Sequence, residues 1–106
     1  MEIRARSVDR DLLLELTGEL DHHAAKGAIR ELELAVDAAL PRRLVLDFGG
    51  VTFMDSSGIA LLMRAKRSMD DLDGSVLVCH VRAQVKRVMD AAGLGRLIHI
   101  RQEEAE

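Results

Sequence analysis

The stretch LVLDFGGVTFMDSSGIALLM, residues 44–63, carries the reading of the fold. Residues 44–48 are a compact apolar run of the kind that forms a buried strand. Gly49 and Gly50 interrupt it and predict a loop before a second extended piece at 51–54. Asp55, Ser56 and Ser57 come next, with short side-chain oxygens suited to the unpaired amides of a helix start. A helical pattern then runs from Ser57 to Met69, and Gly74 separates it from an apolar strand at 76–79. Strand, helix, strand implies a parallel crossover.

Toward the N-terminus, residues 3–7 and 12–16 are short runs separated by VDRD, which predicts two antiparallel strands joined by a turn. LLLEL is apolar on both faces and reads as a central strand. Thr17, Gly18, Glu19 and Asp21 break the pattern into a loop. From residue 25 to 40 the apolar positions Ala25, Ile29, Leu32, Val36 and Leu40 recur at helical spacing, and Pro41 ends the helix. Toward the C-terminus, Val85, Val88, Met89 and Ala92 form one stripe of a last helix closed by Gly93 as a left-handed cap. Residues 97–100 read as a final short strand and 102–106 as a frayed tail. The expected architecture is α/β: one domain over 1–106, a mixed four- to five-stranded sheet with crossover helices packed on it. In such sheets functional sites lie beyond the carboxyl ends of parallel strands, where DSSG falls.

Composition narrows the functions. With 15 Lys and Arg against 18 Asp and Glu, the net charge of -3 supplies no basic field for a phosphate backbone. Trp and Tyr are absent and only two Phe occur, so base-stacking platforms are missing and nucleic acid is not an expected partner. No apolar run approaches a membrane span, and the first residues lack the apolar core of a signal peptide, which places the expected location in the cytoplasm. The single cysteine, Cys79, cannot form an internal disulfide, in keeping with a reducing compartment.

Capping explains one oxygen of Asp55, Ser56 and Ser57, but three in succession leave a hydroxyl to spare. A phosphate there would be tolerated, because the helix dipole and free amides favour a dianion, and its effect would fall on a docked partner. The six uncharged residues from Gly58 to Met63 offer more apolar surface than one core-facing stripe requires.

TGELDHH (17–23), FMDSSG (53–58), VLVC (76–79) and VKR (85–87) together resemble the anti-sigma factor antagonists of sporulating bacteria, a branch of the STAS domain family. The match spans nearly the whole chain in the right order, and TGELDHH points to the sporulation branch. The resemblance implies a partner switch and no catalysis. The unmodified protein binds an anti-sigma factor that is also a GHKL-type serine kinase and so releases the sigma factor. Phosphorylation of the second serine of DSSG, Ser57, ends the binding, and a PP2C-type phosphatase restores it. The same carry-over places Gly18, Glu19, Asp21 and His22 with Asp55, Ser56, Gly58, Ile59 and Leu61 in the kinase-facing surface, on a chain that is a monomer when free. The family continues into a C-terminal helix, for which the final QEEAE leaves little room.

Other classes are disfavoured. His22–His23 and Cys79–His80 lack metal-ligand spacing, so no metal or cofactor is expected. A serine hydrolase built from Ser57, a histidine of the pair and Asp21 or Asp55 lacks the nucleophile elbow. No phosphate-binding glycine motif marks a nucleotide site. A STAS protein of a general-stress or stressosome circuit remains the alternative that keeps the fold.

Overall fold

The computed structural model describes residues 1–101. β1 (Glu2–Val8) and β2 (Asp11–Leu20) form the expected antiparallel hairpin, in register from Glu2 opposite Thr17 to Val8 opposite Asp11. Then follow α1 (His22–Ala39), β3 (Arg43–Met54), α2 (Ser57–Asp71), β4 (Ser75–Cys79), α3 (Ala83–Ala91), a 3-10 turn (Leu94–Arg96) and β5 (His99–Ile100). The strand order is β1-β2-β3-β4-β5, and every neighbouring pair after the hairpin is parallel. The mixed sheet and crossover helices expected from the sequence are therefore present. The tail 102–106 lies outside the described residues. Among those described, no helix is long and apolar enough to cross a membrane.

The core forms because alternate strand positions point to one side. Leu12, Leu14 and Leu16 of β2, Leu44, Leu46 and Phe48 of β3, and Val76 and Val78 of β4 are buried there. They share one apolar cluster with Ala25, Ala28, Leu32 and Val36 of α1 and Leu61, Leu62, Ala65 and Met69 of α2. This corrects the reading of LLLEL as apolar on both faces, since Leu13 is only half-buried and Glu15 is exposed. Leu40, expected on the buried stripe of α1, is instead its left-handed cap at φ 47° and is 64% exposed. Pro41 keeps the preceding residue out of the α region, so the helix ends one residue early.

Two expected loops are strands. β2 runs on through Thr17, Gly18 and Glu19 to Leu20, and β3 runs unbroken through Gly49–Gly50. Opposite Glu15 and Thr17 lie Asp47 and Gly50, so β3 carries an extra residue there, and a second shift follows between Gly18 and Glu19. Glycine within a strand here marks a bulge. A Cβ on Gly50 would stand 2.8 Å from Leu16 O, so the backbones approach too closely for a side chain. The last strand is also shorter than expected: the turn at Leu94–Arg96 uses the preceding residues, and Ile98 is buried while Leu97 is 49% exposed.

Candidate functional site

The two motifs TGELDHH and FMDSSG meet because β2 and β3 end side by side. Leu20 is in register with Met54, and Asp55 N donates to Leu20 O at 3.3 Å. α1 and α2 start from these ends, so two sets of unpaired helix amides open on the same edge of the domain.

Each helix start has its own aspartate cap. Asp21, with extended backbone, accepts from Ala24 N at 3.0 Å. That hydrogen bond holds its carboxyl below the ordinary value of 3.8, aided by the charges of His23 and His22 and opposed by desolvation. A carboxyl with a lower pKa folded than unfolded stabilises the fold above its unfolded pKa, and this contribution is lost as the pH falls through the folded value. Asp21→Asn retains an acceptor but cannot titrate. Its melting temperature should therefore fall less steeply with acidification below 3.8 than that of the parent. Parallel melting curves for the two proteins across that range would contradict the assignment.

At α2 the cap is Asp55, whose Oδ1 accepts from Ser57 N at 2.8 Å. Ser56 occupies the N-cap position yet makes no capping bond with its side chain. Gly58 N and Ile59 N close the turn on the carbonyls of Asp55 and Ser56 at 3.0 and 3.1 Å. Helix initiation thus uses the aspartate and the backbone, and neither serine hydroxyl is required for it. Ser56 is exposed and Ser57 half-buried. Seven residues beyond Ser57, on the same side of α2, Arg64 reaches Glu33 of α1 at 2.7 Å. Ser57 therefore lies on the side of α2 that turns toward α1.

The other expected surface residues divide. Glu19 and His22 are exposed, and Gly18, Asp21, Asp55 and Ile59 are half-buried. Gly58 and Leu61 are buried, which corrects their expected place on the docking surface: Leu61 is fully enclosed in the core, and a Cβ on Gly58 would overlap Met54 and crowd Leu20. Of the uncharged run after Ser57, Ile59, Ala60 and Met63 reach the surface, with Met63 39% exposed, while Gly58, Leu61 and Leu62 face inward. Phe53, 41% exposed and in register with exposed Glu19, adds an apolar side chain that the expected surface omitted.

A groove of about 560 Å³ borders the site, lined by Ser56 and Ile59 of α2 and by Gln84, Arg87, Val88, Ala91 and Ala92 of the α3 region. Gln84 was not legible as functional, yet it holds the end of β3. Pairing of β3 with β4 stops at Asp47 opposite Cys79, which leaves the later backbone of β3 without a strand on that side. Gln84 Oε1 accepts from Met54 N at 3.0 Å, and Gln84 Nε2 donates to Met54 O at 3.0 Å. Arg82 Nε donates to Gly49 O at 2.9 Å. Side chains at the start of α3 thus replace the missing strand. Gln84→Ala strips two partners from the backbone of a fully buried residue and should cost about 1–3 kcal/mol in denaturant unfolding. A loss near zero would show that Met54 finds other partners.

On the same edge of β3, Asp47 meets two residues distant in sequence. Asp47 Oδ1 accepts from Gly49 N at 2.8 Å and lies 3.2 Å from His80 Nδ1. With Cys79 Sγ these side chains offer three donor atoms, all within 4.8 Å of one another. Cys79–His80 has no metal-ligand spacing in the sequence, and Asp47 joins the pair only through the fold.

Comparison with known proteins agrees with the geometry. The STAS domain pattern matches residues 2–106. The anti-sigma F factor antagonist of Paenibacillus polymyxa is 30% identical over 93 residues, covering 88% of this chain and 80% of the relative. The anti-sigma factor antagonist SpoIIAA in its unphosphorylated form superposes with a TM-score of 0.80 at 26% identity, over 96% of this chain and 90% of its own. The phosphorylated form of SpoIIAA, a Bacillus cell fate determinant, does so with a TM-score of 0.71 at 25% identity, over 96% and 93%.

Proposed function

The chain belongs to the STAS domain family and is an anti-sigma factor antagonist of that type, and we propose that Ser57 is the hydroxyl through which its binding is switched. The family is regulatory and not enzymatic. In the proposed cycle the unmodified protein, a cytoplasmic monomer of a sporulation circuit, docks on an anti-sigma factor that is also a GHKL-type serine kinase and releases the sigma factor. The kinase transfers the γ-phosphoryl group of ATP to Ser57 Oγ, the serine proton leaves and ADP is formed. The phosphorylated protein dissociates, and a PP2C-type phosphatase hydrolyses the ester.

One observation supports this most: Asp55, not a serine, caps α2. The Ser57 hydroxyl can therefore be esterified without taking a capping bond from the helix. The added charge of about -1.5 to -2 at pH 7 would stand beside two helix N-termini, which offset it within the domain. A docked protein has no such compensation. Glu19, Asp21, His22, Ser56, Ile59, Met63 and Phe53 surround or flank this edge and provide the mixed apolar and charged surface for the partner.

The experiment reconstitutes the cycle from the chain, a GHKL-type anti-sigma factor and its sigma factor. The unmodified chain should displace the sigma factor, and displacement should cease when ATP turnover has modified Ser57. Displacement by Ser57→Ala that persists in ATP completes the pattern. If phosphate accumulates on another residue while displacement still ceases, Ser57 is not the switch.

A further inference from the structure

We propose that Asp47, Cys79 and His80 form a binding site for one divalent transition-metal ion of borderline softness, with Zn2+ as the natural probe. The donors come from three backbone positions that the sheet fixes. Asp47 and Cys79 are register partners, the last pair of the parallel β3–β4 ladder, so their side chains leave the sheet on the same face. His80 follows with φ 59°, a left-handed conformation uncommon for a residue with a side chain. That turn brings its ring back over β3 to Asp47.

The spacing suits a small tetrahedral ion. Bond lengths of about 2.0–2.3 Å from zinc to oxygen, nitrogen and sulfur place ligand atoms of one ion about 3.3–3.7 Å apart. The His80 Nδ1 to Asp47 Oδ1 separation is 3.2 Å, and all three donors lie within 4.8 Å of one another. Small rotations of the three side chains draw the donors together; a proton on His80 Nδ1 passes through water to Nε2, and the ion takes its place beside Asp47 Oδ1. Gly49 keeps the space clear, because a Cβ there would stand 3.1 Å from Asp47 Oδ1 and 3.4 Å from His80 Cβ. Its amide also orients the carboxylate at 2.8 Å, as outer hydrogen bonds do around metal ligands.

The donor chemistry selects the ion. One thiol, one imidazole and one carboxylate favour Zn2+ or Co2+ over Mg2+ and Ca2+, which seek oxygen alone. On binding, the Cys79 S–H bond breaks, its proton passes to the buffer, and the thiolate bonds to the metal; the two anionic ligands balance the two charges of the ion. Cys79 is 4% exposed whereas the His80 side chain is 54% exposed. The sulfur thus closes the inner side, and water completes the fourth position from the outer one. A bound ion would tie β3 to β4 at the point where their backbone pairing ends, just before the bulge that leads to α2.

The test uses the full, reduced chain titrated with Zn2+ and with Co2+. The expected result is one equivalent bound, a thiolate-to-cobalt charge-transfer band that Zn2+ abolishes, and no response to Mg2+. Cys79→Ser should remove the band, and His80→Ala should weaken binding by about tenfold or more. A double variant, His22→Ala with His23→Ala, should bind as the parent does. If circular dichroism shows Cys79→Ser unfolded, Asp47→Asn and His80→Ala carry the same comparison, with loss of the Zn2+-dependent rise in melting temperature as a second readout. The proposal is overturned by absence of saturable binding, by a band that survives Cys79→Ser or both other variants, or by binding that disappears with His22 and His23.

Discussion

Ser57→Asp should lose at least about 30-fold in affinity for the anti-sigma factor, the equivalent of about 2 kcal/mol, while its melting temperature stays at or slightly above that of the parent. The two halves of this expectation have separate causes. Within the domain, Ser57 is the first residue of α2, and the first turn contains no acidic residue. A carboxylate there meets the positive end of the helix dipole and gains about 0.3–1 kcal/mol. At the docked surface the same charge must shed water against a partner fitted to a neutral hydroxyl, and a desolvated unpaired charge costs about 2–5 kcal/mol. The interface term exceeds the helix term and has the opposite sign for function. Ser57→Ala should bind as the parent does and accept no phosphate. Equal affinity of Ser57→Asp and parent in calorimetry would remove the electrostatic basis of the switch.

Gly58→Ala should lower the melting temperature by up to about 15 °C, although alanine is the better helix former by about 1 kcal/mol. The second effect opposes the first and loses because of what lies beneath the helix. A Cβ on Gly58 overlaps Met54 Cγ and Sδ and comes within 3.1 Å of Leu20 Cδ2, and both neighbours are fully buried. Neither can swing into solvent, so β2, β3 or the start of α2 must shift, at the cost of about 1–3 kcal/mol typical of an overpacked core. Gly27→Ala is the matched control: nothing lies within 4 Å of its Cβ position on α1, and the helix gain of about 0.5–1 kcal/mol should appear alone. A Gly58→Ala protein as stable as Gly27→Ala would show that the β3–α2 junction is loosely packed.

How much of this was legible in the sequence depends on the range of the signal. The beginning of α2 at Ser57 followed from local chemistry, because the Asp55 carboxylate and the apolar spacing act within one turn. The hairpin, the crossovers and the left-handed cap at Gly93, φ 68°, are equally local. Gly49–Gly50 misled because glycine marks a bulge as readily as a loop, and only the backbone of β2 at Leu16 decides between them. Leu61 misled because its place was carried over from the resemblance, which does not show which side of this helix meets the sheet. Gln84 and the Asp47, Cys79 and His80 grouping were invisible for a further reason. Their partners lie 30 to 33 residues away in the chain and meet only where β4 ends before β3 does.

The central claim is that a phosphate on Ser57 ends association by acting on the partner while leaving this domain folded. The direct measurement is calorimetry of the anti-sigma factor with two preparations of this chain: one unmodified, the other phosphorylated by the kinase and shown by peptide mapping to carry the phosphate on Ser57. Predicted are a saturable heat of binding for the first, at least about 30-fold weaker binding for the second, and closely similar melting temperatures. Indistinguishable binding of the two, or weakened binding accompanied by unfolding of the phosphorylated chain, would contradict it.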